Sequence, residues 1–97
     1  MQQPVSETTV QIRGATYQIR TDLGPETLGR LADYVDGKMR ELDPRSTLAP
    51  AKVSVLTSLS IAGELMEVRD REAESRRNIV SRLERLEELL DEALGDR

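Results

Sequence analysis

Ninety-seven residues, a third of them charged, with no Phe, no Trp and two Tyr, exclude a large self-contained core, because a chain this short buries only a modest part of its surface. A formal net charge of −4 argues against a nucleic-acid partner. With no Cys and no His, disulfides, thiolate nucleophiles, the usual general base and the commonest zinc ligands are all missing.

Ala, Glu, Lys, Leu and Arg make up 45 of the 97 residues, which approaches the composition of long-helix and coiled-coil chains. Residues 1–7 read as a polar, flexible leader, without the basic region and apolar run of a secretory signal. Alternation then begins. Val10 and Ile12 face one way, and Thr9, Gln11 and Arg13 the other. It resumes with Tyr17 and Ile19 against Thr16, Gln18 and Arg20. Two such runs split by the pair Gly14-Ala15 predict a β-hairpin, with Gly14 supplying a positive φ. A lone hairpin is marginal in water, so Val10, Ile12, Tyr17 and Ile19 need a covering helix.

That helix follows. Gly24-Pro25-Glu26 places proline at a first helical position beside an acid. Leu28, Leu31, Ala32, Val35, Met39 and Leu42 form a one-sided stripe, read as core. Gly29 and Gly37 interrupt the other side without a local reason. Asp43-Pro44 ends the element, since the residue before proline avoids helical backbone. Residues 8–49 thus form a ββα head.

From about Pro50 nothing breaks the next helix until Gly95, a suitable C-terminal cap. Roughly 45 residues at 1.5 Å each make a rod of about 67 Å. Val53–Met66, the longest mostly apolar stretch, is cut by Thr57, Ser58, Ser60 and Gly63 and is too short to span a bilayer. No membrane partner is expected, and the expected compartment is the cytoplasm. The fold class is therefore α+β: a small β-hairpin plus helix head, followed by a long C-terminal coiled-coil helix at 50–95.

The first part of the long helix is apolar on more than one side, suited to meet the head and a second chain together. Farther on, the apolar positions narrow to a seam. Ile61, Leu65 and Val68 step by 4 and 3, and Ile79, Leu83, Leu86, Leu90 and Ala93 by 4, 3, 4 and 3. These are coiled-coil spacings. The step of eleven from Val68 to Ile79 reads as a stutter. Arg69–Asn78 has Ala73 as its one apolar residue and reads either as a solvated helix supported by Glu67-Arg71 and Glu72-Arg76 or as a polar seam that fixes register. No other segment of the chain is left to cover Leu83–Ala93. The expected oligomer interface is Leu59, Ile61, Leu65, Val68, Ile79, Leu83, Leu86 and Leu90.

Catalytic machinery is absent. There is no phosphate-cradling loop, and Ser46, Ser54, Ser58 and Ser60 have no base to activate them. Asp33/Asp36 and Glu87/Glu88/Asp91 read as solvated surface. The expectation is a protein that is not an enzyme, with no cofactor and no metal.

Three blocks carry a resemblance. They are Val10-x-Ile12-x-Gly14-x-x-Tyr17-x-Ile19-Arg20; Leu28-x-x-Leu31-Ala32-x-Tyr34-Val35-Asp36-x-Lys38-Met39; and Lys52-Val53-x-Val55-Leu56-x-x-Leu59-x-Ile61-Ala62-x-Glu64-Leu65. In this order, and followed by a coiled coil, they resemble the ZapA family of bacterial cell-division proteins that bind FtsZ. The resemblance implies a head that pairs into dimers, and dimers that join through the coiled coil into a tetramer with heads at both ends. It also implies binding to FtsZ at the division site, with cross-linking or bundling of its filaments. Family contacts to FtsZ are ascribed to charged head residues. Positions after the hairpin glycine that are basic in some relatives are Ala15 and Gln18 here, which leaves Arg13, Arg20, Arg30, Lys38 and Arg45 as partner-binding candidates. The alternative reading is a generic cytosolic coiled-coil adaptor that recruits another protein.

Overall fold

The structure, a computed structural model, describes residues 4–95. Strands β1 (Ser6–Ile12) and β2 (Ala15–Thr21) are followed by helices α1 (Pro25–Leu42) and α2 (Pro50–Leu94). The described chain divides between Ser60 and Ile61 into two compact units.

β1 and β2 pair antiparallel, with Val10 opposite Tyr17 and Ile12 opposite Ala15. The two-residue connection is Arg13-Gly14, at φ 53° and 78°. Two positive φ values define a type I′ turn, whose twist matches that of the flanking strands. The turn thus lies one residue earlier than the predicted Gly14-Ala15, and Ala15 is the first paired residue of β2. β1 also starts earlier than the hydropathy pattern indicates. Ser6 and Glu7, assigned to the leader by sequence, pair with Thr21 and Arg20. Backbone pairing needs no apolar side chain, so it leaves no alternation to read. Residues 1–3 of that leader lie outside the described residues.

α1 opens as expected. Gly24 is extended, Pro25 takes the first helical position, and the Leu28 N–H donates to the Gly24 carbonyl at 3.0 Å. It closes at Asp43, whose N–H still reaches the Met39 carbonyl at 2.9 Å while its φ and ψ, −141° and 67°, have left the helix. Proline at 44 enforces that departure.

The core is a cluster of Val10, Leu28 and Ala32, with Ile12 and Ile19 packed against it. α1 lies along β1, and this corrects two expectations. Tyr17 is not under the helix: it is 49% exposed, because its cross-strand neighbour Val10 occupies the covered place. The α1 stripe is also wider than its cover. Leu28 and Ala32 are buried and Val35 and Met39 half-buried, but Leu31 and Leu42 are exposed. A two-stranded sheet covers one line along a helix, and Leu31 and Leu42 diverge from that line by a fraction of a turn.

Within the first unit, α2 contributes Val53 and Thr57, 1% and 2% exposed and one turn apart. Val53 shares a cavity of about 320 Å³ with Ile12, Tyr17, Met39 and Pro50. At the other end of the helix, a side chain at Gly95 would collide with the Asp91 carbonyl, so the terminating residue must be glycine.

Replacing Gly14 with Val places a β-branched residue at positive φ. The expected result is a loss of about 1–2 kcal/mol from head stability, read by chemical denaturation. A variant as stable as the parent would show that this turn conformation does not matter.

Candidate functional site

Two places in the described chain hold side chains in arrangements that the fold alone does not require. The first is the tip of the hairpin, where it meets the end of α1. The positive φ of Arg13 turns its N–H toward Asp36, whose Oδ1 accepts at 2.7 Å. The Arg13 guanidinium reaches Asp43 Oδ2 at 2.9 Å. Asp43 is almost fully buried and accepts three further hydrogen bonds. They come from the Thr47 N–H at 2.9 Å, the Thr47 hydroxyl at 3.3 Å and the Leu48 N–H at 3.1 Å. Asp36 is also paired with Arg40, one turn along α1. Two carboxylates therefore tie the hairpin tip, the end of α1 and the connector into one polar latch, which borders a cavity of about 510 Å³.

The electrostatics agree with the geometry. The Arg13 backbone N–H, then the Arg40 side chain, hold the Asp36 carboxyl below its ordinary value. For Asp43, burial pushes upward, but the Thr47 N–H, the Arg13 guanidinium and the Leu48 N–H together outweigh it and the net shift is downward. Hydrogen bonds to an ionised carboxylate favour that form. No nucleophile is paired with a base here, and no cluster of His, Cys, Asp or Glu among the described residues could hold a metal ion. The latch is structural chemistry.

The five head cations separate into three groups. Arg13 is committed to the latch, with its guanidinium turned to Asp43. Arg30 and Lys38 stand two turns apart on α1 with Tyr34 between them. Lys38 lies 5.7 Å from the Tyr34 ring centre and 3.6 Å from Glu41. Arg30, Leu31 and Tyr34 border an open hollow of about 660 Å³. Arg20 on β2 and Arg45 on the connector are exposed. Arg20, Arg30 and Arg45 make no ion pair with any described residue. Sequence reasoning did not find the roles of Asp36 and Asp43. An Asp before Pro with Ser and Thr just beyond is a local signal for such a turn.

The second place is α2 from Ile61 onward. Ile79, Val80, Leu83, Leu86, Leu89, Leu90 and Leu94 are each 46–61% exposed, as are Leu65 and Val68 at 48%. Ile61 is half-buried and Leu59 exposed. Single exposed leucines are ordinary, but a continuous row marks a binding surface. Between the two apolar runs, Glu67-Arg71 and Glu72-Arg76 pair at 3.3 and 3.8 Å. No described helix is long and apolar enough to cross a membrane.

Comparison with known proteins agrees with this architecture. Residues 8–90 match the family model described as cell division protein ZapA. The cell division protein ZapA of Shouchella clausii (strain KSM-K16) is 37% identical over 62 residues, covering 63% of this chain and 80% of that protein. Among solved structures, a ZapA mutant dimer from Geobacillus stearothermophilus aligns with a TM-score of 0.59 at 29% identity, covering 79% of this chain and 91% of that one. Its fold matches the hairpin, short helix and long C-terminal helix described above. The chain belongs to the ZapA family.

The latch sets a pH dependence. Asp36 and Asp43 titrate lower in the folded chain than in the unfolded one. Their stabilisation is therefore complete above the unfolded carboxylate value of about 3.9 and is lost as pH falls through the folded values. Thermal melts of the parent should drop on acidification below about pH 4. The Asp36→Asn/Asp43→Asn variant should melt lower at neutral pH and depend less steeply on acid. Parallel curves for the two proteins would refute the latch.

Proposed function

We propose that this ZapA-family chain is a non-enzymatic cell-division scaffold that binds FtsZ through its head and cross-links FtsZ filaments at the division ring. Its working form is a homo-oligomer, with dimers joined into tetramers through α2.

The observation that carries this reading is the apolar length of α2 that no described segment covers. Full burial of one Leu or Ile contributes about 1.5–3 kcal/mol, so a row of such residues on each of several chains is ample to drive association. A mutant of the Geobacillus stearothermophilus relative is a dimer, which supports self-association here. The breadth of the stripe supports more than two chains. With Leu83 and Leu90 at a and Ile79 and Leu86 at d, the residues Val80, Leu89 and Leu94 fall at e and g positions. A seam four positions wide has more apolar surface than one partner helix covers.

FtsZ as partner rests on the family assignment and on the exposed head charges. On an acidic protein, Arg20, Arg30 and Arg45 are cations without ion pairs among the described residues. Arg30 also lies beside exposed Leu31 and Tyr34, and Arg and Tyr are the residue types that dominate interface energetics. Such a patch steers an acidic surface and gives it an aromatic anchor. Weak contacts repeated on one assembly gain effective concentration, which is how a small scaffold can hold two polymers together. In this reading the length of α2 sets the spacing between filaments.

Two measurements test this. Leu83→Glu with Leu86→Glu should lower the mass in solution by at least one assembly step, as read by light scattering, and an unchanged mass would refute the seam. Reversing Arg20, Arg30 and Arg45 to Glu should reduce co-sedimentation with FtsZ filaments while the melting temperature and mass stay the same. Undiminished pelleting would refute the head cations as the docking charge.

A further inference from the structure

The hairpin has an edge whose backbone groups are unused within the described chain. Its Arg13-Gly14 turn is closed by Ile12 and Ala15, which in a two-residue hairpin exchange backbone hydrogen bonds. Hydrogen-bonded and non-hydrogen-bonded pairs alternate along an antiparallel ladder. Ala15, Tyr17, Ile19 and Thr21 therefore direct their N–H and C=O groups to β1, whereas Thr16, Gln18 and Arg20 turn theirs outward. No described residue pairs with those three N–H and three C=O groups. All three residues are exposed, and α1 runs along β1 rather than β2.

Folded proteins blunt an exposed edge with proline, lysine or a bulge. β2 runs seven residues in unbroken register with none of these. Its single charge is Arg20, which makes no ion pair with a described residue. On the other face of the sheet, Ala15 and Tyr17 border the cavity of about 320 Å³ that Ile12, Met39, Pro50 and Val53 also line. An added strand thus meets a backbone template with an apolar hollow on one face and a cation on the other, because residues 17 and 20 point to opposite sides. Pairing β2 with β2 of a second copy about Gln18 sets Arg20 opposite Thr16 and leaves its charge unanswered. A carboxylate opposite Arg20 answers it, and opposite charges across a strand pair are stabilising.

We propose that the outer edge of β2 is a docking site for an extended, acidic segment of a partner protein. The segment adds to the hairpin as a third, antiparallel strand, with a carboxylate opposite Arg20 and an apolar residue opposite Tyr17. Backbone hydrogen bonds to Thr16, Gln18 and Arg20 supply affinity, and the hollow and the guanidinium select the side chains. In an antiparallel strand the two positions lie three residues apart, so the segment reads acid-x-x-apolar, with apolar residues on the hollow's face. This goes beyond the docking charges assigned to the head above, which need no ordered backbone contact.

The probe is a capped, fluorescently labelled peptide, Thr-Glu-Val-Thr-Leu-Thr-Val, titrated with the full chain and read by anisotropy. Its second residue falls opposite Arg20, its fourth opposite Gln18 and its fifth opposite Tyr17. Saturable binding is expected. N-methylation of the fourth residue, whose N–H faces the Gln18 carbonyl, should abolish binding. N-methylation of the third, whose N–H points away from β2, should leave it intact. Lys in place of the peptide's Glu should weaken binding by up to about fivefold, and Arg20→Glu in the chain should reverse that preference. Absence of binding at millimolar chain, the result expected where a second copy already fills the edge, overturns the proposal. Equal sensitivity to the two N-methyl groups overturns the added strand, and equal affinity for the Glu and Lys peptides overturns the acidic partner. No FtsZ enters the titration, so its failure is distinct from a failure of FtsZ co-sedimentation.

Discussion

A two-stranded hairpin offers one apolar face, and here that face is narrower than the apolar surface on the helices that follow it. Val10, Leu28 and Ala32, with Ile12 and Ile19 beside them, account for the main cluster. Leu31 and Leu42 on α1 remain in water, and so does the row from Leu65 to Leu94 on α2. Small domains sit near the edge of stability because so much of their surface stays exposed. In this chain the deficit is not spread evenly. It is concentrated on one helix at coiled-coil spacing.

A core of so few residues fixes position poorly, and polar chemistry supplies what packing does not. The latch at the hairpin tip uses Arg13 twice, its N–H to Asp36 and its guanidinium to Asp43. Asp43 in turn holds the connector through Thr47 and Leu48. Arg13 holds a left-handed backbone position in which its N–H meets Asp36 and its Nη2 meets Asp43, two charge-assisted contacts that offset a steric cost glycine would not incur. One residue thus closes the turn and anchors the hairpin to α1 and to the connector that leads into α2. Its guanidinium is paired with Asp43, whereas the cations at 20, 30 and 45 are exposed.

Much of the fold was legible because its signals are local. Alternation marked both strands, Pro25 and Pro44 marked the ends of α1, and the uninterrupted run from Pro50 to Gly95 marked α2. What escaped was set by contacts distant in sequence. The turn moved to Arg13-Gly14 because the strands pair Ile12 with Ala15, and no hydropathy pattern distinguishes that from pairing one residue later. Tyr17 looked like core because it alternates correctly, but α1 crosses over β1 and leaves it half-exposed. Asp36 resembled a solvated partner of Asp33 until the fold brought Arg13 to it across 23 residues of sequence. The apolar spacing along α2 was readable for the opposite reason: a helix repeats its period locally, and that needs no tertiary knowledge.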